Sequence, residues 1–376
     1  MATGFMAHTL CFWHDTGTAA GMVVADPVAG VQPDGHVESG ATKRRCFELL
    51  DVTGLLGRMT RVEARSATVS ELLRVHTDEH VRRVRNESAQ VRGGDAGDGF
   101  SPVGRGSYDI ARLAAGGVLE LVTAVASGVV SNGYALVRPP GHHATADTGM
   151  GFCTFNNAAL AARHAQAELG LNRIAIVDID AHHGNGTQSI FYDDPNVLAV
   201  SLHEANCFPP DSGWVEENGA GLGEGYTLNI PLPKGSGHAA YLYAMNTVVL
   251  PALHRFQPEL ILVATGFDGA YWDPLSCQAL IADSYRQMAR LLTGAAERLC
   301  GGWLVAVHEG GYSPWYTPWC LVGFIEGLTG ANGDLTDPYA GITAGYGAEP
   351  MLPHEQAVID QTARLVPRIT ATVPAS

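Results

Sequence analysis

Residues 177–188 read VDIDAHHGNGTQ and crowd two aspartates and two histidines onto the end of an apolar run. In extended chain, alternate side chains point to one side, so Asp178, Asp180 and His182 share a face where that run ends. Asp180 and His182 can reach one cation, with Asp178 one step deeper. A third ligand must come from another segment. Asp268 in GFDG is best suited, because it also follows an apolar run and is bracketed by Gly266 and Gly269. Two carboxylates and an imidazole neutralise a divalent cation and leave positions open for water and substrate, the layout of a catalytic site. Zinc is the first expectation, and Fe²⁺, Co²⁺ or Mn²⁺ would also accept this donor set. Any one of these residues alone would read as a turn former, helix cap or core group. The joint pattern is what points to metal.

A second apolar run leads into RPPGHHA, which supplies His142 and His143. Adjacent histidines diverge, so each can have its own partner, and an imidazole that titrates near neutrality can take a proton from water and return one to a leaving amine. Asp178 is placed to fix one of the pair, and Asn185 is a neutral candidate for the other. A third run leads into HEGGYS, where Tyr312 follows two glycines and can swing to donate to a developing oxyanion.

These segments share one grammar. The runs 133–137, 173–179, 197–202, 260–265 and 303–307 are continuously apolar, as strands of a parallel sheet covered on both faces require. Stretches 111–128, 157–169, 241–256 and 284–299 have helical composition and alternate with them, which predicts an open α/β sheet with helices on both sides. Ligands bind beyond the carboxyl ends of such strands. One site assembled from residues 138–312 therefore needs a single domain, expected over 1–376, with a core about 10–330 and a peripheral segment 331–376. Residues 93–106 read as a long surface loop, and GAGLGEG (219–225) as a flexible one.

The formal net charge of −15 disfavours non-specific nucleic-acid binding, while leaving a cationic amine possible as a substrate. No apolar run approaches a membrane span, and the first residues make a poor signal peptide, so a cytoplasmic protein is expected. The seven cysteines include no CxxC pair and read as reduced thiols. HExxH, GxSxG and phosphate-loop motifs are absent.

The segments RPPGHHA (138–144), GFCTFNN (151–157), DIDAHHGNGTQ (178–188), SLHEANCFPPDSG (201–213), NIPLPKGSG (229–237), GFDGAYWDPL (266–275) and EGGYS (309–313) together resemble the histone deacetylase family, on the side of class II and bacterial histone deacetylase-like amidohydrolases. Weaker similarity runs through 35–45 and 72–81. The resemblance implies an arginase-like three-layer α/β/α fold with an eight-stranded, mainly parallel sheet. It implies Asp180, His182 and Asp268 as zinc ligands, His143 as general base, His142 as its electrostatic partner and Tyr312 as the oxyanion donor. It also implies structural potassium, held by Asp178, Asp180, His182, Ser201 and Leu202, with a second site at Phe191, Asp194, Val197 and Tyr226. Gly151, Phe152, Phe208 and Leu275 would line a narrow substrate channel.

Three departures stand out. Gly269 replaces the usual alanine and would loosen its loop. Phe100 stands where relatives place an aspartate that grips the peptide backbone, with Asp95 or Asp98 as possible substitutes. Leu275 replaces the acidic residue of polyamine-selective relatives. The expected activity is zinc-dependent hydrolysis of a linear acyl amide, with Nε-acyl-lysine as the first substrate class. An acetylpolyamine or small metabolite is the alternative, and a metal-binding reader of acyl-lysine is the non-enzyme alternative. An acylated lysine peptide or a small acylated amine is the expected partner, with no nucleic acid or membrane and a possible homo-oligomer.

Overall fold

The computed structural model describes residues 2–345 and 350–370. Its centre is an eight-stranded sheet of β1 (Thr3–Ala7), β2 (Thr60–Arg61), β3 (Asn132–Leu136), β4 (Ile174–Asp178), β5 (Val197–Glu204), β6 (Thr227–Leu232), β7 (Leu260–Thr265) and β8 (Leu304–His308). The spatial order is β6-β5-β4-β7-β8-β3-β1-β2, and every pairing is parallel. All residues of β1 and of β3 to β8 are buried, which accounts for the apolar runs within them.

Helices cover both faces in a three-layer α/β/α arrangement. Ser107–Ala126 packs on Asn157–Leu169, and Ala282–Cys300 packs on Thr317–Thr329. The expected helix 241–256 is a composite. It runs as α-helix over His238–Ala244, widens to a π turn over Met245–Val249 and resumes over Leu250–Phe256. Pro251 has no N–H to give and crowds the preceding turn, and the wider turn accommodates it.

The order reverses at the centre. From β4 the chain steps outward through β5 and β6, then returns to insert β7 and β8 between β4 and β3. This places the ends of β3, β4, β7 and β8 side by side, where a parallel sheet opens a crevice. Register aligns them: Asp178 pairs with Ala264 and with Ser201, and Thr265 pairs with His308.

Two loops are more ordered than expected. Within 93–106, Gly94–Asp95 pairs with Pro102–Val103 as a small antiparallel ladder, and 219–225 contains a single 3₁₀ turn, Gly221–Gly223. The segment from 331 onward includes the helix Pro353–Ala363, whose Thr362 Oγ1 donates to Asn229 O of β6 at 2.8 Å. Ile359, Val366 and Ile369 join the core, so the described part of this segment is integral and not merely peripheral. The portions of that expectation at 346–349 and 371–376 lie outside the described residues. All seven cysteines are free thiols. Among the described residues, no helix is long and apolar enough to cross a membrane.

Candidate active site

The loop after β4 turns back on itself through its own carboxylates. Asp178 Oδ1 accepts from Asp180 N at 3.0 Å, and Asp180 Oδ1 accepts from His182 N at 2.9 Å. From β7, Asp268 enters the same space, its Oδ1 accepting from Ala181 N at 2.8 Å. The result is a buried cluster in which ligand atoms of Asp180, His182 and Asp268 all lie within 4.8 Å of one another. His182 Nδ1 is 3.1 Å from a carboxylate oxygen of each aspartate. Its Nε2 is 3.2 Å from Leu275 O. Donation there places the proton on Nε2 and leaves the Nδ1 lone pair facing the carboxylates, as a ligating histidine requires.

The cluster calls for positive charge. Burial opposes protonation of His182, yet the charge of Asp268 and the contacts with both aspartates hold its pKa well above the usual range. Space is reserved as well. A Cβ on Gly310 would stand 2.0 Å from Asp268 Oδ2 and 2.7 Å from Asp180 Oδ2, while the Gly310 N–H donates to Asp180 Oδ2 at 2.9 Å. Two carboxylates, one oriented imidazole and a glycine-cleared approach fit a divalent cation.

The histidine pair diverges as the sequence implied. His142 Nδ1 meets Asp178 Oδ2 at 2.9 Å and His143 Nδ1 meets Asn185 Oδ1 at 2.7 Å, with ring centroids 3.9 Å apart. Their electrostatics diverge too. Burial disfavours a charged His142, but Asp180 and Asp178 prevail and push its pKa up to about 10. Burial, with the charges of His142 and His182, holds His143 well below the usual range. The same surroundings therefore favour the charged form of His142 and the neutral form of His143. A metal ion between Asp180 and Asp268 would counter part of the field on both.

Tyr312 lies at the same floor, and burial with the charges of Asp268 and Asp180 keeps its phenol protonated. The Gly310–Gly311 pair is no free hinge: Asp273 Oδ2 accepts from Tyr312 N at 2.7 Å and from Ser313 N at 3.2 Å, while Gly310 is wedged against the carboxylates. Glycine serves close approach here. Glu309 Oε2 likewise accepts from Gly141 N at 2.6 Å and His142 N at 3.1 Å, setting the histidine loop. Asp273 and Glu309 were not singled out from the sequence. Both follow strands β7 and β8 in segments that the strand-end rule flags, which is the signal that could have found them.

A channel of about 290 Å³ descends to this floor. His143, His182 and Tyr312 line its base, and Gly151, Phe152, Phe208 and Leu275 line its wall, together with Cys207 and, at the mouth, Met22 and Phe100. Phe152 packs edge-on to Tyr312 at 5.8 Å and Phe208 edge-on to His143 at 4.9 Å. All four expected channel residues thus line one cavity with His143, His182 and Tyr312.

The histone deacetylase domain model matches residues 36–328. This chain belongs to the histone deacetylase family. It is 47% identical over 340 residues to the histone deacetylase-like amidohydrolase of Pseudomonas aeruginosa, covering 89% of this chain and 88% of the relative. It is 41% identical over 274 residues to a probable deacetylase of Archaeoglobus fulgidus, covering 73% and 75%. Its structure matches the crystal structure of the HDA15 HD domain with a TM-score of 0.82 at 33% identity, covering 98% and 96%. The family is one of amide-hydrolysing deacetylases, generally metal-dependent, and the fold is the arginase/deacetylase-like one.

Against the family, the departures have structural accounts. At Gly269 an added Cβ would press within 3.0 Å of Leu280 Cδ1, and the loop is tied rather than loosened, through Leu280 N to Gly269 O at 3.0 Å and Ser276 Oγ to Asp268 O at 2.6 Å. Leu275 gives its side chain to the channel and its carbonyl to His182. Asp178 and Ser201, expected around one potassium ion, are register partners on β4 and β5. Phe191, Asp194 and Val197 of the second set form one turn, with Asp194 N on Phe191 O at 3.1 Å and Val197 N on Asp194 O at 3.4 Å.

Proposed function

We propose that the protein hydrolyses the amide of a short acyl group carried on an aliphatic amine, with Nε-acetyl-lysine as the reference substrate. The observation that carries this reading is the convergence of His143, His182 and Tyr312 on the base of one apolar channel. A thin aliphatic chain fits such a wall, and the amide at its end meets all the polar groups at once. A divalent cation held by Asp180, His182 and Asp268, zinc in our reading, would supply Lewis acidity and make water more acidic. Neutral His143 accepts the proton of the attacking water, steadied by Asn185. The Tyr312 hydroxyl donates to the carbonyl oxygen as it gains charge. Charged His142, fixed by Asp178, stabilises that charge, and His143 returns its proton to the departing amine. Potassium at the two groups named above, and action on an acylated lysine peptide or small acylated amine in the cytoplasm, belong to the same proposal.

The test is amine release by zinc-loaded protein from acetyl-lysine amides, compared with Tyr312→Phe. Turnover lost in the variant with metal retained supports hydrolysis. Equal affinity for acetyl-lysine in both proteins with no turnover in either would make the protein a binder.

A further inference from the structure

The mouth of the channel differs in chemistry from its floor. Phe100 is 50% exposed there, and Met22 reaches the same rim from an antiparallel flap formed by Thr18–Ala20, Val23–Val24 and Asp34–Gly35. The carboxylates of the Phe100 loop are turned to internal duties. Asp95 Oδ1 accepts from Gly97 N at 2.7 Å and Gly99 N at 2.8 Å, and its Oδ2 from Ser101 N at 2.8 Å. Asp98 Oδ1 accepts from Phe100 N at 2.9 Å and its Oδ2 from Gly151 N at 2.8 Å. Phe152, the next residue, has a φ of 70°, a strained value for a bulky side chain. It is held by Asp98 on one side and by its N–H on Ser101 Oγ at 3.0 Å. Asp98 thus positions the channel wall through both of its carboxylate oxygens.

Among the described residues, no Asp, Glu, Lys or Arg lines the channel. A peptide backbone laid across the Phe100 and Met22 side chains would lose water against apolar surface, and an ammonium group would lose more. An apolar group there would gain by burial. Resting on the amide-hydrolase reading, we infer that the mouth selects an acylated amine whose body beyond the aliphatic linker is apolar and uncharged, in preference to an extended peptide or a polyamine.

Three probes test this: acetyl-lysine capped at both ends by uncharged aromatic groups, the same residue centred in a Gly/Ser hexapeptide, and monoacetylcadaverine. Binding is measured by titration calorimetry on zinc-loaded Tyr312→Phe, so that it does not depend on turnover, and kcat/KM is measured on the unaltered protein. The capped probe should bind tighter than either other probe by about tenfold or more, the scale of one well-buried contact. Adding Phe100→Ser should bring that ratio towards parity, chiefly by weakening binding of the capped probe. Equal or tighter binding of the hexapeptide or the diamine overturns the inference, as does a ratio unmoved by Phe100→Ser. Binding in the expected order without turnover of any probe upholds the mouth and overturns the hydrolase reading. No binding of any probe overturns both.

Discussion

Asn185 Oδ1 stands 2.7 Å from His143 Nδ1, so the ring proposed as the base is steadied by a neutral amide. A carboxylate in that place would raise the pKa of His143, which burial and the neighbouring His142 and His182 hold low. A base works when unprotonated, so its acid limb lies where its proton is lost. Asn185→Asp should move the acid limb of the kcat/KM profile to higher pH and reduce turnover at neutral pH. An unchanged limb would place the base elsewhere.

Tyr312 is held by Asp273 through two backbone N–H groups. Tyr312→Phe should lower kcat by about 10²–10³-fold, as loss of one oxyanion donor does, with bound metal and thermal midpoint unchanged. Asp273→Ala leaves the phenol but frees its backbone. A smaller loss of kcat with a lowered midpoint is expected, followed by steady-state kinetics and thermal denaturation.

Gly310 leaves no room for a methyl group, since a Cβ would stand 2.0 Å from Asp268 Oδ2. Gly310→Ala should keep the fold and weaken metal binding by about 10–100-fold, the effect of disturbing groups around ligands. Competition with a chromogenic chelator measures it. Chelation of the unaltered protein should abolish activity, and zinc should restore it.

Behind the site, the buried Glu38 carboxylate accepts from Arg138 Nε at 2.8 Å and faces Lys43 Nζ at 3.5 Å. Burial pushes its pKa up, but Arg138 and Lys43 prevail and bring it from 4.5 to about 2. Its contribution to stability is therefore present above 4.5 and lost as pH falls towards 2, about 3 kcal/mol in all. Glu38→Gln should cost about 3–5 kcal/mol at neutral pH by leaving cations unpaired. The gap between variant and unaltered protein should narrow on acidification. Urea midpoints from pH 7 to 3 follow it.

Five of the buried strands announced themselves through continuous apolar runs, and the polar residues at their ends located the site. The other strands were less legible for physical reasons. Thr60–Arg61 is two residues long, and Thr227–Leu232 carries Pro231 at the sheet edge, where a missing N–H is tolerated. Metal and histidine residues were readable because side chains of that kind rarely cluster at strand ends. Asp273, Glu309 and the Glu38–Arg138–Lys43 group were not, since each acts on backbone or charge distant in sequence. Asp95 and Asp98 read as possible substrate contacts, and both also hold their own loop, Asp98 holding the channel wall as well.

The most direct measurement is amine release from an acetyl-lysine amide as zinc is titrated into chelator-treated protein, alongside Asp268→Asn. The account predicts release that rises in step with zinc bound and a variant that neither holds zinc nor releases amine. Zinc bound at the Asp180–His182–Asp268 cluster without amine release, or undiminished release by Asp268→Asn, would contradict it.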